Sequence, residues 1–429
     1  MRQSISILSN LKLAIFLLLI IAFSSSLGTI IEQNKILDFY IQSYPESNIL
    51  FNWKIIKFFQ LNQVFQSWWY FCLIFILGAS LITCTVQTQY PILRVSRKYI
   101  FFTSEGQFRK QIYQKEIPKE AFNHILKNLL DTRYYLFLKK NSVYAYKGLM
   151  SKIAPILIHF SLLFLILGTT ASALTGYIAQ EMVVPGEIFH IQNINTFGRL
   201  SYLPQQFLAR VNNFRITYNK NNSIDQFYSD ISIINPSYNE EKRQTISVNY
   251  PLRHNNTTIY QTDWNIIAIK CKLDNKLSIQ IPLKQITSRD KQTFWIGTLK
   301  DNNLTFVSFV IQDLNDSNIL LYDANGNFIQ TTKIETAFAL GNHKIQILDI
   351  IKATGLQIKQ DPGLNLVYLG FFCLIISVLI NIFQYTQIWL LQTRSSVLIA
   401  GKNNKNPLQI NQTLLLLLQE FYQHSNLKN

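Results

Sequence analysis

Charged residues are what this sequence has least of. Only 15% of its 429 residues are Asp, Glu, Lys or Arg, against about a quarter in ordinary soluble proteins. The apolar residues gather instead in long uncharged blocks, which argues against a single soluble enzyme. Cysteine is also scarce: Cys72, Cys84, Cys271 and Cys373 are the four present, and no two form a C-x-x-C pair. That excludes zinc ribbons, thioredoxin-like redox motifs and a C-x-x-C-H attachment signature. No phosphate loop, zinc-protease motif or nucleophile elbow occurs, so nothing resembles an active site for hydrolysis or group transfer. No internal repeat is found.

Four apolar segments stand out, at residues 13–31, 68–86, 153–174 and 364–383. Each approaches the roughly 20 residues a helix needs to cross a hydrocarbon core of about 30 Å. The small residues Ser24 to Ser26 would suit a cleaved signal peptide. The apolar stretch is long, however, and resumes at Thr29, Ile30 and Ile31, which favours a retained signal-anchor. Basic residues outnumber acidic ones 13 to 4 in residues 87–152 and 4 to 1 in residues 384–429, while residues 175–363 are nearly balanced at 18 to 16. By the positive-inside rule both termini and the second connection are cytoplasmic, or stromal in a plastid. The net charge of +16 therefore reads as topology, and no nucleic-acid partner is expected.

The expected fold class is a membrane α-helical protein with four transmembrane helices and a large β-rich soluble domain between helices 3 and 4. Along the chain this gives an N-terminus and first span (1–31), an outer loop (32–67), a second span (68–86), an inner basic α+β loop (87–152) and a third span (153–174). An outer β-rich domain (175–363), a fourth span (364–383) and an inner C-terminal tail (384–429) complete it. Within the outer domain, residues 214–218, 224–234, 245–248, 258–260, 266–273, 277–281, 306–311, 319–322 and 344–350 alternate or are β-branched and aromatic, as strands are. Asn325-Gly326 is a two-residue hairpin signal, and Asp361-Pro362-Gly363 closes the domain as a turn. In the inner loop, residues 119–130 are spaced for a helix and 134–138 with 143–146 for a hairpin. Residues 408–422 suit a helix lying on the membrane surface, too short to span.

Of six histidines, only His159 lies inside a span. An ionisable side chain at lipid depth is a functional hypothesis by default, because its desolvation must be offset. At about 1.5 Å per residue it stands roughly 9 Å into the third span, nearer the inner face. Helical periodicity sets Lys152, Pro155, His159, Leu163, Ile166 and Thr170 along one side. A neutral imidazole among aliphatic walls, with the Lys152 cation below it, suits haem: iron on His159 and a propionate on Lys152. A neutral His bonded to a neighbouring helix and a proton relay are the alternatives, the latter weakened because no Asp or Glu lies within a span. No second membrane His exists, so a second axial ligand would come from another integral membrane protein. His190 and His254, in the outer domain, are weaker candidates. Trp68-Trp69-Tyr70 reads as an interfacial belt. Cys72 and Cys84, about 18 Å apart along one helix, are too distant for a disulfide.

Several spaced blocks together resemble one family. Leu11-Lys12-Leu13-Ala14-Ile15 through Gly28-Thr29-Ile30-Ile31-Glu32-Gln33, then Phe227-Tyr228-Ser229-Asp230, Ile246-Ser247-Val248-Asn249-Tyr250-Pro251-Leu252, Tyr260-Gln261-Thr262-Asp263-Trp264, and Ala353-Thr354-Gly355-Leu356-Gln357-Ile358 before Asp361-Pro362-Gly363 are similar to the Ccs1/ResB family of cytochrome c biogenesis proteins, nearly end to end. The resemblance implies a subunit of the system II complex that delivers and attaches haem, working with a CcsA-type integral membrane protein on apocytochrome c, with haem held transiently and non-covalently. It associates a third-span histidine with haem, at His159 here. The partner's tryptophan-rich haem motif is absent, so catalysis by this chain alone is not expected. Some members carry His at the position of Tyr250, and no outer-domain ligand is carried over from that block. The richness in Ile, Asn and Lys and the algal look of the opening motif favour a thylakoid membrane with the large domain in the lumen, with a bacterial plasma membrane as the alternative. A membrane sensor or receptor with an outer β ligand-binding domain is the rival class, although no output module is recognisable.

Overall fold

The computed structural model describes residues 6–47, 52–204, 207–220, 223–274, 276–287, 293–301, 304–312, 318–340 and 343–426. The chain divides into two compact units, one formed by Met1–Ala173 with Gly363–Asn429 and the other by Leu174–Pro362.

The first unit carries four long apolar helices, Leu11–Ile30, Trp68–Ser96, Ala154–Thr175 and Leu364–Ile382. Most of their Leu, Ile and Phe side chains face outward, Phe16, Phe75, Leu167 and Phe372 among them. Surface this apolar is stable only with lipid as solvent, and a helix satisfies its own backbone there. Leu17, Leu77 and Leu81 pack with Leu162, Leu163 and Ile166 to tie the first three spans together. The third and fourth spans meet through small residues. A Cβ on Gly168 would strike Val367 and the Gly363 carbonyl, so dispersion between touching backbones replaces side-chain interdigitation.

Residues 32–67 form short helices around Tyr40, Ile56, Leu61 and Val64, packed on Ile31. Gln33, from the opening motif, locks this segment. Its amide donates to the carbonyls of Ile31 (2.7 Å) and Leu61 (2.9 Å) and accepts from the Val64 N–H (2.9 Å). The indole of Trp69 donates to the Phe59 carbonyl at 3.0 Å, so one belt residue also fastens the loop.

The basic second connection and the tail fold together. Five antiparallel strands run in the order Tyr113–Pro118, Ser396–Asn403, Thr386–Gln392, Ser142–Lys147, Tyr135–Lys139. The 134–146 hairpin and the helix (Ala121–Asp131) match expectation, but the two strands beyond the fourth span were not read from the sequence. The tail helix extends over Pro407–Asn426, and its expected place on the membrane surface is corrected. Ile410, Leu414, Leu417 and Leu418 are buried against Val397, Ile399, Ile125 and Leu129. Its apolar stripe covers a sheet rather than lipid.

The Leu174–Pro362 unit is β-rich, as expected, with two hydrophobic cores. One gathers Ile269, Cys271, Trp295, Phe309 and Leu321, the other Tyr177, Val211, Ile231, Leu252 and Ile358. The long strands Thr257–Leu273 and His343–Gln360 pair antiparallel and contribute to both. Segments expected as separate strands at 258–260 and 266–273 are thus one strand, bent by bulges, which increase local twist and break the alternation that periodicity relies on. The turn at Asn325-Gly326 is longer than the two-residue connection expected. The Asp323 N–H donates to the Asn327 carbonyl, the Asp323 carboxylate accepts from the Asn325 and Asn327 N–H groups, and of this Asn-Gly pair only Gly326 has positive φ (+86°).

Three family blocks converge at the bulge on Thr262. Gln261 pairs with Leu356 and Asp263 with Gly355, and a Cβ on Gly355 would collide with Asp263. Beside it the hydroxyls of Ser229 (2.5 Å) and Thr354 (2.7 Å) donate to the Gln261 amide oxygen, with both hydroxyl residues fully buried. Satisfied buried networks specify a register, whereas unsatisfied ones are costly. Gln261→Leu should therefore lower the full-length protein's stability by about 1–3 kcal/mol, the cost of stranding buried polar groups. A fully apolar S229A/Q261L/T354A variant should recover most of it. Thermal unfolding in detergent checks both, and equal losses in the two variants would contradict the network's role.

Candidate functional site

The second apolar helix is longer than expected, and its hydrogen bonding widens to a π-turn over Thr85–Gln89 before the Tyr90–Ser96 segment. The widening precedes Pro91, whose missing N–H and ring are incompatible with regular α-helical bonding to the turn before it. Single π-turns of this kind recur at functional sites. Here it begins at Thr85, the residue that meets His159.

Thr85 Oγ1 lies 2.8 Å from His159 Nδ1 and 2.7 Å from the Leu81 carbonyl. A carbonyl only accepts, so the single hydroxyl proton goes to Leu81. The hydroxyl oxygen must then accept from the imidazole, since two lone pairs facing each other at this distance would repel. His159 therefore carries a proton on Nδ1, and because no span holds an Asp or Glu to pair with an imidazolium, the ring is neutral and Nε2 unprotonated. Histidines that bind metals commonly have one ring nitrogen fixed by an outer hydrogen bond while the other is the ligand. The pair therefore fits a group that needs a neutral nitrogen donor, such as haem iron. Thr85 was missed in the sequence reading, because a lone Thr in an apolar helix commonly bonds back to its own backbone.

Lys152 closes a short 3₁₀ turn, Leu149–Lys152, ahead of the third span. Its Nζ lies 5.3 Å from the centre of the Tyr385 ring, in a cavity of about 510 Å³ whose lining does not include His159. Burial, then the neighbouring Lys402 charge, hold the Lys152 ammonium below the ordinary lysine range. The sequence aligned Lys152 with His159 on one helical face, whereas the structure turns the Lys152 head toward the strands after the fourth span.

His190 is exposed, beside the Gln192 amide at 3.0 Å, and His254 pairs with Glu241 at 3.2 Å. Among the described residues no three His, Cys, Asp or Glu side chains converge as a metal-holding group. The four cysteines are free, and burial pushes the Cys271 thiol up to about 12. Such a thiol is inert near neutral pH. Tyr250 is exposed next to Asn249, which has φ +68°.

Four long apolar helices, a half-buried imidazole bonded through Nδ1 to the neighbouring helix, and a β-rich unit between the third and fourth helices in sequence define a multi-pass membrane protein. The profile of the ResB-like family matches residues 11–319 and 288–414. The Cytochrome c biogenesis protein Ccs1 of Porphyra purpurea is 42% identical over 410 residues, covering 95% of this chain and 93% of the relative. That of Rhodomonas salina is 40% identical over 412 residues, covering 94% and 93%, and the Cytochrome c biogenesis protein CcsB of Microcystis aeruginosa is 38% identical over 412 residues, covering 94% and 92%. The chain belongs to the Ccs1/ResB family of cytochrome c biogenesis proteins.

Nitrogen-15 NMR of histidine-labelled protein should show His159 protonated at Nδ1 and bare at Nε2. Thr85→Val should mix the tautomers, because it removes the acceptor. An Nε2–H signal in the unaltered protein would contradict the assignment.

Proposed function

We propose that this chain is the haem-handling subunit of a system II cytochrome c assembly complex. It holds haem on His159 Nε2 during passage from the inner to the outer side of the membrane, and haem is its cargo. A CcsA-type membrane protein supplies the second axial ligand, since the spans of this chain contain no second histidine. Apocytochrome c receives the haem on the outer side. The chain's own chemistry is binding, and attachment needs the partner.

The observation that carries this reading is the Thr85–His159 hydrogen bond. It prepares a neutral donor nitrogen, which a structural histidine with both ring nitrogens bonded would lack. At lipid depth little water is present, and a dry site limits side oxidation of reduced haem. The membrane we assign is the thylakoid, with both termini stromal and the 175–363 domain in the lumen. The basic surplus of residues 87–152 and 384–429 supports that orientation, and similarity to red algal and cyanobacterial proteins supports an oxygenic photosynthetic setting. In this arrangement the lumenal β-rich domain positions the partner or the apocytochrome.

Co-purification with the membrane partner should give a Soret band that His159→Ala abolishes. Thr85→Val should weaken haem affinity by about 10- to 100-fold, the usual effect of losing a residue that orients a metal ligand. A normal band in His159→Ala would refute the haem role. A colourless complex throughout would favour a sensor or a proton pathway. Protease added to sealed, stroma-side-out thylakoids should cut within residues 87–152 and spare 175–363 until the membrane is opened, and the reverse pattern would invert the topology.

A further inference from the structure

The cavity around Lys152 has no part in the His159 site, yet it is built as a binding site in its own right. Its volume of about 510 Å³ falls within the roughly 300–1,000 Å³ of small-molecule pockets. Its lining joins aliphatic residues, among them Ile92, Val95 and Ile100, to the aromatic Phe102, Tyr385 and Trp389, and the aromatic residues are held in place. Trp389 stacks on Phe102 at 4.4 Å with a 5° interplanar angle and its indole donates to the Ile100 carbonyl at 2.8 Å. The Tyr385 hydroxyl donates to the Ser96 carbonyl at 3.1 Å. Lys152 and Lys402 both line the space and are close enough to repel. No acidic side chain is among the described lining residues, and among the described residues neither lysine has a carboxylate partner. Two like charges set against apolar rings destabilise each other unless an anion lies between them.

We propose that this cavity docks the carboxylate edge of a porphyrin dicarboxylate on the inner side of the membrane, at a site separate from His159. The porphyrin identity rests on the haem-handling reading, while the anion site stands on its own residues. Two lysines match two carboxylates through charge-assisted hydrogen bonds, and the aliphatic and aromatic part of the lining suits the apolar edge of a macrocycle. A phospholipid headgroup offers a single phosphate and no flat surface, which fits the pair less well. The lining comes from the inner end of the second helix, the turn before the third span and the strands after the fourth. A ligand held there would wait where the spans begin.

The test uses the full chain in nanodiscs of neutral lipid, with metal-free protoporphyrin IX as fluorescent probe and its dimethyl ester as the uncharged control. Without iron the probe cannot be ligated by His159. The acid should bind about tenfold or more tighter than the ester, the scale of one lost charge-assisted contact. The K152Q/K402Q double variant should lose that advantage, K152R/K402R should retain it, and His159→Ala should leave it unchanged. Equal binding of acid and ester, or unaltered acid binding by K152Q/K402Q, would overturn the proposal. So would displacement of the probe by phosphatidylglycerol at ordinary membrane fractions, which would mark a lipid headgroup site. Should lysine-dependent porphyrin binding hold while the Soret band ignores His159, the His159 reading fails alone.

Discussion

One hydrogen bond between two spans sets the chemical state on which the account depends. Thr85 spends its only proton on the backbone of its own helix and so forces His159 to present Nδ1–H to it. In the neutral ring, which spans without Asp or Glu favour, the donor electron pair is then on Nε2. Everything around the pair serves to keep it in register. The π-turn starts at Thr85, the leucine cluster of the first three spans fixes their spacing, and the backbone contact at Gly168 holds the fourth span against the third. A small shift between the second and third spans would free the hydroxyl and scramble the tautomer.

The two soluble regions are stabilised in different ways. In the smaller one, strands on either side of the fourth span close a single sheet with the second connection, so segments more than two hundred residues apart in sequence depend on each other. Burial of Ile410, Leu414, Leu417 and Leu418 against that sheet makes this part of the tail helix a structural element. In the β-rich unit, two long paired strands join two cores. The polar contact of Ser229, Gln261 and Thr354 marks where the bulge turns the strand.

The four spans and the β-rich character of the large region were legible because hydrocarbon demands uninterrupted apolar length and half-buried strands demand alternation. His159 was legible for the same reason, as the one imidazole inside an uncharged window. Its partner was not, since a Thr in a span carries no signal until a second helix is laid beside it. Strands Thr386–Gln392 and Ser396–Asn403 escaped because their pairing is non-local and near-continuous apolar runs such as Ile388–Leu391 do not alternate. The tail was legible as a helix over 408–422, but a helical period cannot say whether a sheet or a lipid surface covers its apolar side. The family blocks were visible as words whose physical reason appeared only in three dimensions, in the Gln33 clamp and the bulge at Thr262.

The most direct test of the central claim is chemical rescue at the iron-binding nitrogen. His159→Gly, co-purified with its membrane partner, should lack the haem absorption of the unaltered complex and regain it on addition of free imidazole, which fills the vacated ligand position. Haem content that is normal without imidazole, or absent whether or not it is added while the complex remains assembled, would contradict ligation by His159.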